Sequence, residues 1–187
     1  MAKGGLRRSA RESAEAVWRH RNSTRPRNRA SLKGVMFALG ILSCCAAPVF
    51  AEDFDGFIIG VLEGDTIQVM NGSEVLVFRL DGVDAPEIGQ PYGTDAYAFT
   101  VSLALGKKAH VVTKAAQAWG IQAAVISLAS GLNLSHELLK AGLAWWDRIN
   151  VPHNDSLWKL EREARTLRRG LWDDADPIPP WEWRKGF

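Results

Sequence analysis

Four carboxylates and one arginine gather in one short stretch of the sequence, at Glu63, Asp65, Arg79, Asp84 and Glu87. Glu63 and Asp65 are two residues apart, so an extended backbone would place both side chains on the same face of a strand. Like charges held this close together favour a bound cation. Because no Cys or His lies nearby in the sequence, the oxygen ligands suit a hard cation such as calcium or magnesium better than zinc.

The residues around this stretch indicate how the groups are presented. Residues 75–80 alternate between two faces, and Arg79 lies on the face opposite the leucines. Pro86 restricts Ala85 to an extended conformation, which leaves the Ala85 carbonyl free to accept a hydrogen bond or to coordinate. A guanidinium beside a cation site suits phosphate, because its planar donors match two phosphate oxygens. The combination predicts phosphodiester chemistry, and ordinary solvated Gly/Asp turns are the alternative interpretation.

These residues belong to a longer set of linked motifs. The set comprises Gly64-Asp65-Thr66, Arg79-Leu80, Asp84-Ala85-Pro86-Glu87, Gln90-Pro91-Tyr92-Gly93, Gly142-Leu143-Ala144-Trp145, Gly170-Leu171-Trp172 and Pro179-Pro180-Trp181-Glu182-Trp183-Arg184. It resembles the thermonuclease, or staphylococcal-nuclease-like, family, and in particular its bacterial secreted members. The resemblance extends over about residues 57–185 and implies an OB-fold.

The resemblance also implies a metal site and a substrate. Asp65, Asp84 and the backbone carbonyl of Ala85 would hold Ca²⁺, with Mg²⁺ as the alternative, and Glu63 would bind the ion through water. The substrate would be single-stranded DNA or RNA. No partner protein is expected, and the chain is predicted to be a monomer.

The catalytic groups that the resemblance implies are incomplete. Glu87 would be the general base that activates water, and Arg79 would neutralise charge on the phosphate. A second arginine, typical of the family, is replaced by Ile121. Most tryptophans are predicted to pack against helices, but Trp119 occupies the position of a family tyrosine and is a tentative substrate-binding residue.

Two hypotheses follow from the missing arginine. The first is a secreted metal-dependent nuclease with reduced or altered activity, in which Lys114, Arg148 or a residue of the last long helix replaces the arginine in space. The second is a catalytically impaired OB-fold domain that binds nucleic acid or a protein partner. Loss of one donor to a developing oxyanion typically lowers a rate by ~10²–10³-fold, so the difference between the hypotheses is measurable.

The first 51 residues differ from the rest in charge. Ten basic residues against two acidic ones give residues 1–51 a net charge of +8, which leaves −6 for residues 52–187 out of the total of +2. An apolar run at about 34–50, followed by a small-residue pattern that ends at Ala51, predicts a secretory signal and export to the periplasm or medium. An acylated Cys44 or an uncleaved membrane anchor are the alternatives. Residues 52–187 form the predicted catalytic domain.

Periodicity and turn residues predict the elements of that domain. Strands are expected at 57–61, 66–70, 75–80, 107–114 and 123–129, and helices at 94–105, 134–140 and 156–169, with Thr94, Asn133 and Asp155 as the residues that cap them. Asn71-Gly72 predicts a tight hairpin between the second and third strands. Five strands and about three helices indicate an α+β domain built on a small Greek-key barrel.

Overall fold

The computed structural model describes residues 53–116 and 121–186. The predicted leader, including Cys44, and the tentative substrate residue Trp119 lie outside the described residues. In chain order the elements are β1 (Asp53–Glu63), β2 (Thr66–Asn71), β3 (Glu74–Leu80), β4 (Val83–Asp84), α1 (Gly93–Ala104), β5 (Lys108–Ala116), β6 (Gln122–Leu128), α2 (Leu134–Ala141), β7 (Trp145–Trp146), α3 (Asp155–Thr166), a 3₁₀ helix (Gly170–Asp173) and α4 (Pro180–Trp183). Among the described helices, none has the length and apolar character needed to cross a bilayer.

Five strands close into a barrel in the order β1-β2-β3-β6-β5. Four of the pairings are antiparallel, and β3 pairs with β6 in parallel. The hairpin between β2 and β3 turns at Gly72, whose φ of 60° is the left-handed conformation that favours glycine. The predicted five-stranded OB-fold barrel is therefore confirmed, and residues 53–116 and 121–186 contain four α-helices where the sequence predicted about three.

The core of the barrel consists of side chains from the inner faces of the strands. Ile58, Ile67 and Ile126 are fully buried there. Helix α2 adds Leu138 and Leu139 to the same core, and burial of each such side chain contributes roughly 1.5–3 kcal/mol. The barrel is thus a rigid platform for the loops at its end.

A two-stranded sheet outside the barrel was not predicted from the sequence. Val83 pairs with Trp146, and Asp84 pairs with Trp145. Trp145 and Trp172 are buried and meet edge to face, with ring centroids 5.4 Å apart, in agreement with the prediction that most tryptophans pack. This sheet matters for the site because it fixes the backbone of Asp84.

Two of the predicted helix caps are wrong. Helix α1 follows Tyr92, with no side-chain cap, and Thr94 lies inside the helix. Helix α3 is capped by Asn154, which accepts hydrogen bonds from two backbone N–H groups, so Asp155 is already its first residue. The Asn133 cap is confirmed by its hydrogen bond from the backbone N–H of His136 (3.0 Å). At α3 the neighbouring Asn154 and Asp155 are both good capping residues, and the backbone geometry selects Asn154.

Glu161 is a buried anion, although its sequence pattern indicates only a helical pair with Arg165. The residue is 2% exposed. Its carboxylate accepts hydrogen bonds from Arg148 (2.5 Å), Arg165 (3.3 Å) and the backbone N–H of Trp146 (3.4 Å). It therefore ties α3 to the two-stranded sheet.

We expect Glu161→Gln to lower the free energy of unfolding by about 2 kcal/mol. The change removes the charge from hydrogen bonds in a buried place, and such bonds are worth ~1.5–3 kcal/mol each; the exposure of both arginines reduces the effect. Urea unfolding measures it. Glu163→Gln is the matched control, because Glu163 is exposed on the same helix and pairs with Arg169. Equal losses in the two variants would contradict a structural role for Glu161.

Candidate active site

Asp65 lies in the turn between β1 and β2, so the expectation that it shares a strand face with Glu63 does not hold. Glu63 is the last residue of β1 and pairs with Thr66 across the turn. Asp65 is 1% exposed. Its Oδ1 accepts a hydrogen bond from the Thr66 hydroxyl (2.9 Å), and its Oδ2 accepts one from the backbone N–H of Ala85 (2.9 Å). These donors orient the carboxylate and offset its burial.

Arg79 lies beside this turn because of the strand register. It is the partner of Thr66 in the β2–β3 ladder. Its Nη2 donates to Asp65 Oδ2 (3.2 Å) and to Asp84 Oδ1 (2.5 Å). The two aspartates that the sequence places 19 positions apart therefore face one space, next to one guanidinium.

Asp84, like Asp65, is a buried carboxylate beside Arg79. Burial raises the pKa of Asp84, and a hydrogen bond from Arg184 opposes that rise. Glu63 has a raised pKa as well, because it is partly buried and because Glu87 and Asp65 place negative charge close by. Glu63, Asp65, Asp84 and Glu87 thus form one electrostatic cluster.

The loop that carries Glu87 is held by hydrogen bonds and by close packing. The backbone N–H of Glu87 donates to the side-chain carbonyl of Gln90 (3.1 Å). A Cβ atom at Gly93 would overlap the Glu87 carbonyl. Position 93 therefore requires glycine, because a larger side chain would clash with the Glu87 carbonyl. The first turn of α1 thus fixes the Glu87 backbone.

Arg184 lies at the carboxylates, although the sequence analysis assigned it no role. Its Nη2 donates to Asp84 Oδ2 (2.7 Å), and its Nη1 contacts Asp84 Oδ1 (3.3 Å) and Glu87 Oε1. Hydrogen bonds to Asp84 and Glu87 raise its pKa. The only signal in the sequence was its place in the Trp181-Glu182-Trp183-Arg184 motif, which names no partner.

The residues considered as replacements for the missing arginine have other neighbours. Arg148 donates to Glu161. Lys114 is exposed, and its positive charge opposes the rise that burial causes in the pKa of Asp81. Ile121 itself is 41% exposed and directly precedes β6. Within 53–116 and 121–186, the guanidinium that joins Arg79 at the carboxylates is that of Arg184.

The donor set fits a hard cation that keeps much of its own water. Asp65 Oδ2 and Asp84 Oδ1 both accept from Nη2 of Arg79, so these two oxygens lie close together in the site. No group of three or more His, Cys, Asp or Glu side chains forms a metal-binding cluster in the described parts of the chain. Calcium and magnesium accept such sparse carboxylate sites, because carbonyl oxygens and water complete their coordination.

Comparison with known proteins places the chain in a family. The family model described as "Staphylococcal nuclease homologue" matches residues 77–174. A protein of Escherichia coli O157:H7 named "Uncharacterized endonuclease" is 38% identical over 138 residues, which cover 73% of this chain and 89% of that protein. A "Micrococcal nuclease" of Shigella flexneri is 30% identical over 165 residues, which cover 83% of this chain and 93% of that protein.

The matched range includes the carboxylates of β4 and its following loop. Arg79, Asp84 and Glu87 lie within residues 77–174, whereas Asp65 and Arg184 lie outside them. The confirmed barrel, the motif spacing and the two bacterial relatives agree with one another. The chain belongs to the staphylococcal nuclease family.

Proposed function

We propose that the chain is an exported, metal-dependent nuclease that hydrolyses phosphodiester bonds of single-stranded DNA and RNA. One observation carries the proposal: Arg79 binds two buried or nearly buried aspartates beside Glu87, in a chain of a nuclease family. A carboxylate base, a guanidinium and oxygen ligands in one place are the groups that phosphodiester hydrolysis needs. Asp65, Asp84 and the Ala85 carbonyl would hold Ca²⁺, or Mg²⁺ as the alternative, with Glu63 acting through water.

The reaction assigns a separate task to each side chain. A cation held by Asp65, Asp84 and the Ala85 carbonyl would supply Lewis-acid polarisation of the phosphate. Glu87 accepts a proton from water as the water oxygen forms a bond to phosphorus. The bond from phosphorus to the leaving ester oxygen breaks, and that oxygen takes a proton from solvent. Arg79 donates to a non-bridging oxygen whose negative charge increases in the transition state. Asp65 and Asp84 keep the Arg79 guanidinium in position.

Export is supported by the composition of the leader. The basic residues before position 34 precede an apolar run and the small-residue pattern that ends at Ala51. Both cysteines of the chain lie in this leader. Residues 52–187 therefore contain no thiol that an oxidising compartment could oxidise.

A second candidate function is favoured by Ile121. This apolar residue stands where the family pattern has an arginine, and it is 41% exposed. A nuclease that lacks one preorganised donor loses ~10²–10³ in rate. A domain impaired in this way would still bind nucleic acid or a protein partner through the same surface.

Cleavage of labelled single-stranded DNA and RNA tests the two candidates together. We expect the purified chain to cut both in Ca²⁺ and to lose the activity when EDTA removes the ion, with Mg²⁺ as a further arm. The Ile121→Arg variant is measured beside it. Cutting by Ile121→Arg alone would establish the impaired domain, and no cutting by either protein under any condition would contradict the nuclease.

A further inference from the structure

The segment at residues 178–186 is anchored across the active site. The Gln90 side-chain amide donates to the Ile178 carbonyl (2.6 Å). Pro180 is buried, and Trp181 packs edge to face on Trp145, with ring centroids 6.4 Å apart. Because both anchors belong to elements that also hold Glu87 and Asp84, the segment has a defined position relative to the carboxylates.

The short helix α4 delivers Arg184 to that position. The backbone N–H of Arg184 donates to the Pro180 carbonyl (2.9 Å), which closes the last turn. The Arg184 side chain is 41% exposed. Its guanidinium contacts Asp84 and Glu87, and the side chain as a whole remains partly open to solvent. An arriving anion can therefore reach it.

Arg184 and Arg79 share a hydrogen-bond acceptor. Asp84 Oδ1 accepts from Arg79 Nη2 (2.5 Å) and from Arg184 Nη1 (3.3 Å). Two guanidiniums held against one carboxylate oxygen repel each other. A phosphate group bridging them would relieve that repulsion, because its oxygens match the planar donors of both.

Charge balance favours a role in binding substrate. Without Arg184, Arg79 would be the one guanidinium at the four carboxylates of the site in the described part of the chain. Residues 52–187 carry a net charge of −6, so the domain as a whole does not attract a polyanion. Arg184 supplies positive charge at the place where the phosphate must bind.

We propose that Arg184 is a second phosphate-binding arginine of the active site, which acts with Arg79 on the scissile phosphate and takes the place of the arginine that Ile121 replaces. The inference rests on the proposed nuclease function. It assigns a substrate contact to a residue ten positions beyond the range matched by the family model. Of the segment at 178–186, Arg184 is then the residue that contacts substrate, and the anchors at Ile178 and Trp181 hold it in place.

Lys185 provides a matched control. It follows Arg184 directly, carries the same charge and pairs with Glu182 (2.9 and 3.0 Å). The test compares Arg184→Gln, Arg184→Lys and Lys185→Gln. Measured quantities are kcat and KM on single-stranded DNA with Ca²⁺, and the Kd of a labelled oligonucleotide in EDTA by fluorescence anisotropy.

We expect Arg184→Gln to lower kcat by ~10²–10³-fold and to weaken oligonucleotide binding by about tenfold, the scale of one charge-assisted contact. Arg184→Lys should lose at least about tenfold in kcat, because an ammonium lacks the planar donor pair. Lys185→Gln should remain within about twofold of the parent, since Lys185 contacts a glutamate outside the site. Circular dichroism verifies that each variant is folded.

Different outcomes test the role of Arg184 and the proposed nuclease function. A kcat of Arg184→Gln equal to or above that of the parent would overturn the inference and identify Arg184 as a plug of the site. If the parent cuts nothing, the nuclease proposal fails, and the binding measurement in EDTA decides about Arg184. Weaker oligonucleotide binding by Arg184→Gln than by Lys185→Gln supports the phosphate contact. Equal binding by the two variants overturns it. If Arg184→Gln is unfolded, Arg184→Lys decides in the same way.

Discussion

Glu87→Gln should lower kcat on single-stranded DNA by ~10²–10⁴-fold, with little change in KM. The amide keeps the size of the side chain and its contact with solvent, but it cannot accept the proton of the attacking water. The loop stays in place, since Gln90 holds the backbone N–H of residue 87 (3.1 Å) and Gly93 packs against its carbonyl. Steady-state kinetics in Ca²⁺ measure the effect.

Glu74→Gln is the control for this prediction. Glu74 is exposed at the start of β3, next to the hairpin turn, and its loss changes the net charge by the same amount. We expect parent activity from it. A Glu87→Gln variant that cuts as fast as Glu74→Gln would exclude Glu87 as the base, and the search would move to Glu63 in the same cluster.

Arg79→Lys should lower kcat by ~10²–10³-fold, the cost of one preorganised donor to a developing oxyanion. Its guanidinium donates through Nε (3.3 Å) and Nη2 (3.2 Å) to one oxygen of Asp65 and through Nη2 to Asp84. An ammonium cannot hold both aspartates and still present a planar pair of donors to phosphate. Kinetics on DNA and thermal unfolding are measured together.

Arg162→Lys makes the same substitution on the exposed face of α3, where the arginine lies over the Trp158 ring (5.1 Å). It should leave kcat unchanged. Asp65 keeps the Thr66 hydroxyl and the Ala85 N–H as partners in Arg79→Lys, so the fold should persist. If the two lysine variants have equal kcat, Arg79 does not contact the phosphate.

The barrel could be predicted because its signals are local. Alternating burial in residues 75–80 and the Asn71-Gly72 turn fix β2 and β3 without any knowledge of the rest of the chain. Gly142 ends α2 in the left-handed conformation (φ 71°), as its position after an amphipathic helix indicates. The predicted cap of α3 was wrong because Asn154 and Asp155 are adjacent and propensity does not separate them, and that of α1 was wrong because the helix already begins at Gly93, after Tyr92, with no side-chain cap.

The sequence alone indicated the family and the barrel, because the linked motifs and the strand and turn patterns are local. The register of β2 and β3 then brought Arg79 to Asp65. Only the tertiary structure decided that Arg184 meets Asp84 across 100 positions, and that Glu161 is a buried anion. The Arg184 contact depends on the anchoring of residues 178–186, and the Glu161 contact depends on the two-residue strand that presents the Trp146 N–H. Such short pairings have no periodicity of their own, and the packing of distant elements forms them.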